Sequence, residues 1–124
     1  MARILTINDG KGFTLVEIII VIAIIGILAT ISILQISSNR VKAFNSAALS
    51  DLKSAELAQE AYFISHSKYT GVITDLTADN SMVRTKGVDL NITLIGDSYQ
   101  ITASHPYGNK TYTITGTGGK IQSN

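Results

Sequence analysis

The residue with the clearest chemical demand in this 124-residue chain is Glu17. It is a carboxylate placed near the start of a strongly apolar run, Ile18 to Ala29 with continued apolar character to Ile36. An ionised carboxylate in hydrocarbon costs several kcal/mol, and such a residue normally has a partner and a function. The other residue types that do chemistry are sparse. His66 and His105 are the only histidines, and they lack metal-ligand spacing. Asp75, Asp79, Asp89 and Asp97 fit no EF-hand pattern, and three of them fall at expected turns or strand edges. Gly116 to Lys120 resembles part of a phosphate loop but lacks the full motif and the helix that must follow it. Ser37, Ser38, Ser46, Ser50 and Ser54 have no base nearby in sequence and read as small polar helix positions. Asn91-Ile-Thr93 and Asn109-Lys-Thr111 are formal glycosylation sequons, which arise often by chance. The chain has no cysteine, so thiolate chemistry and disulfides are excluded. No catalytic residue, metal or cofactor is expected.

The elements that position Glu17 follow from hydropathy. Residues 13–36 form an apolar segment long enough to cross a hydrocarbon core of roughly 30 Å at about 1.5 Å per residue. A polar leader of residues 1–12, with Arg3, Asp9 and Lys11, precedes it and ends in Gly10-Lys11-Gly12. A secretory signal puts its small-residue cleavage site after the apolar region, whereas here the small residue comes before it. Cleavage after Gly12 leaves the apolar helix on the mature protein and makes Phe13 the new amino terminus. Glu17 then lies one helical turn from that amine on its own chain. A neighbouring copy shifted along a common axis presents its own Phe13 amine more favourably.

From Leu34 the pattern becomes one-sided. Val41, Phe44, Ala48, Leu52, Ala55, Gln59 and Tyr62 recur at steps of three and four, with Arg40, Asn45, Asp51, Glu56 and Glu60 expected elsewhere on the surface. No proline or glycine interrupts Ile27 to Ser65, so one helix from about Thr14 to about His66 is expected, amphipathic over residues 37–66. Residues 67–124 read as a small β domain. Ser67 to Gly87 is a polar connection, with Val72, Ile73, Leu76, Met82 and Val83 available to plug onto the helix. Val88, Leu90, Ile92 and Leu94 then alternate with polar residues, as do Tyr99, Ile101 and Ala103, with Gly96-Asp97 between them as a hairpin turn. His105 to Asn109 makes a second turn before Tyr112 and Ile114. The expected fold is α+β, a long amino-terminal helix packed against a three-stranded antiparallel sheet, with a free tail after Gly116.

Gly12-Phe13-Thr14-Leu15-Val16-Glu17, the apolar run and Gly26-Ile27-Leu28-Ala29 together resemble the amino-terminal signature of type IV pilins and type II secretion pseudopilins. The resemblance extends over roughly residues 10–63. It includes Arg40-Val-Lys-Ala-Phe-Asn-Ser-Ala-Ala48, which is similar to short pilins of metal-reducing deltaproteobacteria. It implies a dedicated membrane peptidase that cuts between Gly12 and Phe13 and methylates the Phe13 amine. It also implies that Glu17 and Phe13 serve assembly, aided by an assembly platform and its ATPase. The implied product is the major subunit of a type IV pilus, a homo-oligomeric filament, inserted in the inner membrane as a single-pass precursor and then displayed outside the cell. A pseudopilin of type II secretion or DNA uptake follows the same helix logic. A membrane-anchored binding protein is the alternative from another class, but a tether has no need of Glu17. A formal charge of +1 with no basic block argues against a nucleic-acid partner. Two departures stand out. The family's usual proline, eight residues after the mid-helix glycine, is Leu34 here, which predicts a straighter helix. Ile36 and Asn39 replace aromatic residues of the short pilins discussed as electron carriers, leaving conduction a hypothesis carried by the eight mature aromatics from Phe13 to Tyr112.

Overall fold

The computed structural model describes residues 12–78, 81–116 and 118–124. The chain divides into two compact units, one ending at Ser37 and the other running from Ser38 to Asn124. The helix α1 (Leu15–His66) is 52 residues long. After it come a one-turn helix, α2 (Ile73–Thr77), and the strands β1 (Asp89–Ile95), β2 (Ser98–Ser104), β3 (Thr111–Thr115) and β4 (Gln122–Ser123).

In the first unit, helical structure continues unbroken through Gly26 and Leu34. With no proline, neither a missing donor nor a ring clash interrupts the backbone ladder. The hydroxyls that punctuate this segment turn back onto their own helix. Thr30 Oγ1 donates to the Ile27 carbonyl at 2.7 Å, and Ser32 Oγ donates to the Leu28 carbonyl at 2.8 Å. Such back-bonding satisfies a hydroxyl without water. Every described residue up to Ser37 is exposed, and this part of α1 is long and apolar enough to cross a membrane.

In the second unit, α1 buries Ala48, Leu52, Ala55, Ala58 and Gln59. The alanines keep this stripe low, so a sheet face can lie close to the helix. The core is completed by Leu76, Met82, Val88, Leu90, Tyr99, Ile101, Ala103 and Ile114. Fully burying a leucine or isoleucine side chain is worth roughly 1.5–3 kcal/mol, so this cluster supplies most of what holds the unit together. The sheet is antiparallel, in the order β1-β2-β3-β4. The interior strand β2 has the cleanest alternation, with Tyr99, Ile101 and Ala103 buried. The β1–β2 hairpin closes through Gly96-Asp97, pairing Ile95 with Ser98, and Gly96 has the positive φ of +58° that a two-residue hairpin turn demands.

Several expectations need correcting. The sheet has a fourth strand instead of a free tail. Gly116 and Gly118, at φ +68° and +70°, turn the chain back. Ile121 then packs against the core, and β4 pairs with β3. Asn45 and Asp51 are buried, at 6% and 2% exposure, because each bonds a loop that crosses the helix. Asp51 accepts from the Thr85 N–H at 2.8 Å and from the Thr85 hydroxyl at 2.7 Å. The polar connection contains α2, and of its apolar residues Leu76 and Met82 are buried, whereas Val72 and Val83 face solvent. Leu94 is also exposed, near the hairpin tip.

Candidate functional site at the head of the long helix

The first turn of α1 is built by Thr14 and Glu17. The Thr14 N–H donates to Glu17 Oε2 at 2.9 Å, and the Glu17 N–H donates to Thr14 Oγ1 at 3.2 Å. This reciprocal pair is a capping box, which satisfies two of the four N–H groups that a helix leaves unpaired at its start. A carboxylate there also meets the positive end of the helix dipole. Gly12, Phe13, Thr14 and Glu17 are all exposed, with Phe13 at 83%. The leader before Gly12 lies outside the described residues. The sequence signal for the box, Thr-x-x-Glu before an apolar run, was available, but hydropathy alone treats Glu17 only as a misplaced charge.

The capping box accounts for one oxygen of Glu17 with a single N–H donor. That is a small return for an anion at the head of an apolar segment, because hydrogen bonds to charged groups contribute about 1.5–3 kcal/mol. The carboxylate therefore retains room and reason for a cation.

The remaining candidates do not converge on this turn. His66 lies in the last turn of α1, stacked on Tyr62 at 4.0 Å. His105 is buried, stacked on Phe44 at 4.3 Å, and its Nδ1 accepts from the Tyr107 N–H at 3.1 Å. Asp75 accepts from the Thr70 hydroxyl at 2.6 Å, while Asp89 and Asp97 are exposed on the sheet and its hairpin. Asp79 and Thr117 lie outside the described residues. Asn91 is exposed on β1, and Asn109 is held in a turn by Asn45. Among the described residues no cluster of three or more His, Cys, Asp or Glu side chains is suited to a metal.

Sequence reasoning also missed a second kind of residue, the polar side chains of α1 that hold loops. Asn45 Nδ2 donates to Asn109 Oδ1 at 2.7 Å, and Asn45 Oδ1 accepts from the N–H groups of Asn109 and Lys110 at 3.0 and 3.2 Å. Gln59, fully buried, donates to the Thr70 carbonyl at 2.6 Å and accepts from the Thr70 N–H at 3.1 Å. Their partners are distant in sequence, so no local pattern announces them.

Residues 7–33 match the family model described as the prokaryotic N-terminal methylation motif. The chain is 31% identical over 122 residues to the type IV wide pilus major component of Thermus thermophilus, covering 94% of this chain and 90% of that protein. The chain belongs to the type IV pilin-like family. Further relatives of this pilin-like chain match over about half of its length. The type II secretion system core protein G of Pectobacterium carotovorum is 37% identical over 68 residues, 55% of this chain and 44% of that protein. The type IV major pilin protein of Myxococcus xanthus is 36% identical over 67 residues, 54% of this chain and 30% of that protein. The chain thus spans less than half the length of these last two relatives.

Proposed function

We propose that the chain is the structural subunit of a type IV pilus, without enzymatic activity. It enters the inner membrane as a single-pass precursor. A prepilin peptidase hydrolyses the Gly12–Phe13 amide and methylates the freed Phe13 amine. Assembly machinery then extracts the subunit into an extracellular filament. The observation that carries this reading is the exposure of the whole described apolar segment from Phe13 to Ile36. Lipid satisfies it before assembly, and helices of other copies satisfy it afterwards. The Phe13 amine of one copy meets the Glu17 carboxylate of another, and this pairing fixes the axial register.

Similarity across nearly the full length of a wide pilus major component supports the pilus reading. The 37% identity to a type II secretion core protein supports a pseudopilin as the second reading, but it is confined to about half of this chain. The test is to shear filaments from cells and determine the amino-terminal residue by mass spectrometry. Methylated Phe13 in long surface filaments is expected. Filaments carrying an intact Met1 would refute the processing, and a mature protein found only in short periplasmic assemblies would favour the pseudopilin.

A further inference from the structure

We propose that a groove in the second unit, between the carboxyl end of α1 and the β1–β2 hairpin, binds an uncharged glycan, with the Phe63 ring as the platform for one pyranose. The groove has a volume of about 590 Å³, inside the range of roughly 300–1,000 Å³ usual for small-molecule sites. It belongs wholly to the second unit, so the proposal stands apart from the reading of the apolar segment.

The platform is built where α1 stops. Ser67 takes φ +56°, a left-handed conformation at which glycine usually ends a helix, and its N–H donates to the Phe63 carbonyl at 2.7 Å. That turn brings Tyr69 back against Phe63, with ring centroids 4.7 Å apart and planes inclined at 29°. Tyr69 is itself braced. Its ring meets the fully buried Tyr99 edge-on at 4.7 Å, and its hydroxyl donates to Glu60 Oε1 at 3.3 Å. The stack is therefore anchored in the core, and a ligand has little left to order. Phe63 is nevertheless 40% exposed, and Leu94, which also lines the groove, is 49% exposed.

The polar lining selects the ligand. Lys68 offers only donors, Asp97 offers only acceptors, and the hydroxyls of Ser67 and Ser98 offer both. Among the described residues the side chain of neither Lys68 nor Asp97 has a hydrogen-bond or ion-pair partner, so the two line one groove without pairing. An anionic ligand would meet Asp97, and a cationic one would meet Lys68. A wholly apolar ligand would strip water from both charges. A pyranose avoids all three penalties. Each of its hydroxyls donates and accepts, and the C–H bonds of its flat face carry the slight positive charge that an aromatic face attracts. A zwitterionic peptide would match the two charges, but exposed ion pairs contribute little and the aromatic floor would go unused.

The full chain, labelled for amide NMR in a polyoxyethylene detergent that carries no sugar, is titrated with maltotriose, cellotriose and N-acetylchitotriose. At least one of these neutral trisaccharides should shift the amides of residues 63, 67–69 and 94–98 saturably in the millimolar range. Phe63→Leu keeps apolar volume but loses the ring, and should weaken that sugar about fivefold, whereas Phe63→Trp should restore the wild-type affinity or exceed it. Lys68→Ala and Asp97→Ala each delete one hydrogen bond and should each weaken it about fivefold. Raising the salt to about 0.5 M should change the affinity less than about twofold, because the ligand has no charge to screen. Tyr107→Leu removes an exposed ring on another turn and should change nothing. No shift with any of the three sugars, or an equal loss in Tyr107→Leu, overturns the site. Wild-type affinity in Phe63→Leu overturns the platform. Tighter binding of triglycine or of sialyllactose overturns the uncharged-glycan assignment, in favour of a zwitterionic peptide or an anion respectively.

Discussion

The capping bonds of Glu17 and its proposed pairing with a neighbouring amine are separable, and the pair Glu17→Gln and Thr14→Ala divides them. Glutamine is isosteric with glutamate and serves equally in a capping box, so Glu17→Gln keeps the bond from the Thr14 N–H, now 2.9 Å long, while removing the charge. Thr14→Ala keeps the charge and removes the oxygen that accepts from the Glu17 N–H at 3.2 Å. Loss of an N-cap side chain costs about 1 kcal/mol, so the first turn of α1 should open about fivefold more often in Thr14→Ala. Loss of a charge-assisted bond between subunits removes about 1.5–3 kcal/mol, or more than about tenfold in the association constant at every step of polymerisation. Amide exchange of Glu17 in detergent micelles reads the first effect, and the yield of sheared filaments reads the second. Glu17→Gln should have wild-type exchange and almost no filaments. Thr14→Ala should have fast exchange and a milder filament defect. Wild-type filament yield from Glu17→Gln would refute the amine pairing and leave capping as the sole role of Glu17.

Further perturbations test the remaining claims. Gly12→Leu should block cleavage, so the accumulated protein should retain its leader by mass; a normal Phe13 terminus would overturn the processing site. Asp51→Ala removes both bonds from Thr85, costing about 2 kcal/mol for the loss of hydrogen bonds to a charged group, and should lower the thermal midpoint of the full chain by about 10 °C in circular dichroism. Gly96→Val should destabilise by about 2 kcal/mol through backbone strain alone, because a Cβ there has open space but φ is +58°, and Gly96→Asn should cost much less in the same melt.

The parts of this fold legible in the sequence are those written in short-range periodicity. Three- and four-residue steps place Ala48, Leu52 and Ala55 on one buried stripe, and alternation about Gly96-Asp97 gives the β1–β2 register. What stays hidden depends on partners far along the chain. Asn45 and Asp51 look like surface polar residues because their hydrogen-bond partners lie 64 and 34 residues away. The strand β4 is hidden for a different reason. Only two residues long, it has no alternation to detect, and the single apolar residue beside it, Ile121, is a weak signal. At the candidate site, the carboxylate and the residues before it are visible as a motif, but their mutual capping emerges only when the helix start is placed at Leu15.

The polar residues of α1 follow a rule that fits one helix to two surroundings. Up to Ser37, Thr14 and Glu17, Thr30 and Ile27, and Ser32 and Leu28 bond within four residues of one another, while Gln35 and Ser37 at the end of the segment make no such bond among the described residues. None of these bonds depends on water or on another part of the chain. The same bonds can therefore persist when lipid is exchanged for the helices of other copies, where an unsatisfied group would cost several kcal/mol. From Ser38 onward, Asn45, Asp51 and Gln59 reach across to loops instead, and these bonds exist only while the second unit is folded. A transfer from membrane to filament therefore changes the environment of the first unit without breaking a bond that either unit needs. Glu17 is the exception, since its cap leaves charge uncompensated, and that residual demand is what a neighbouring amine can answer.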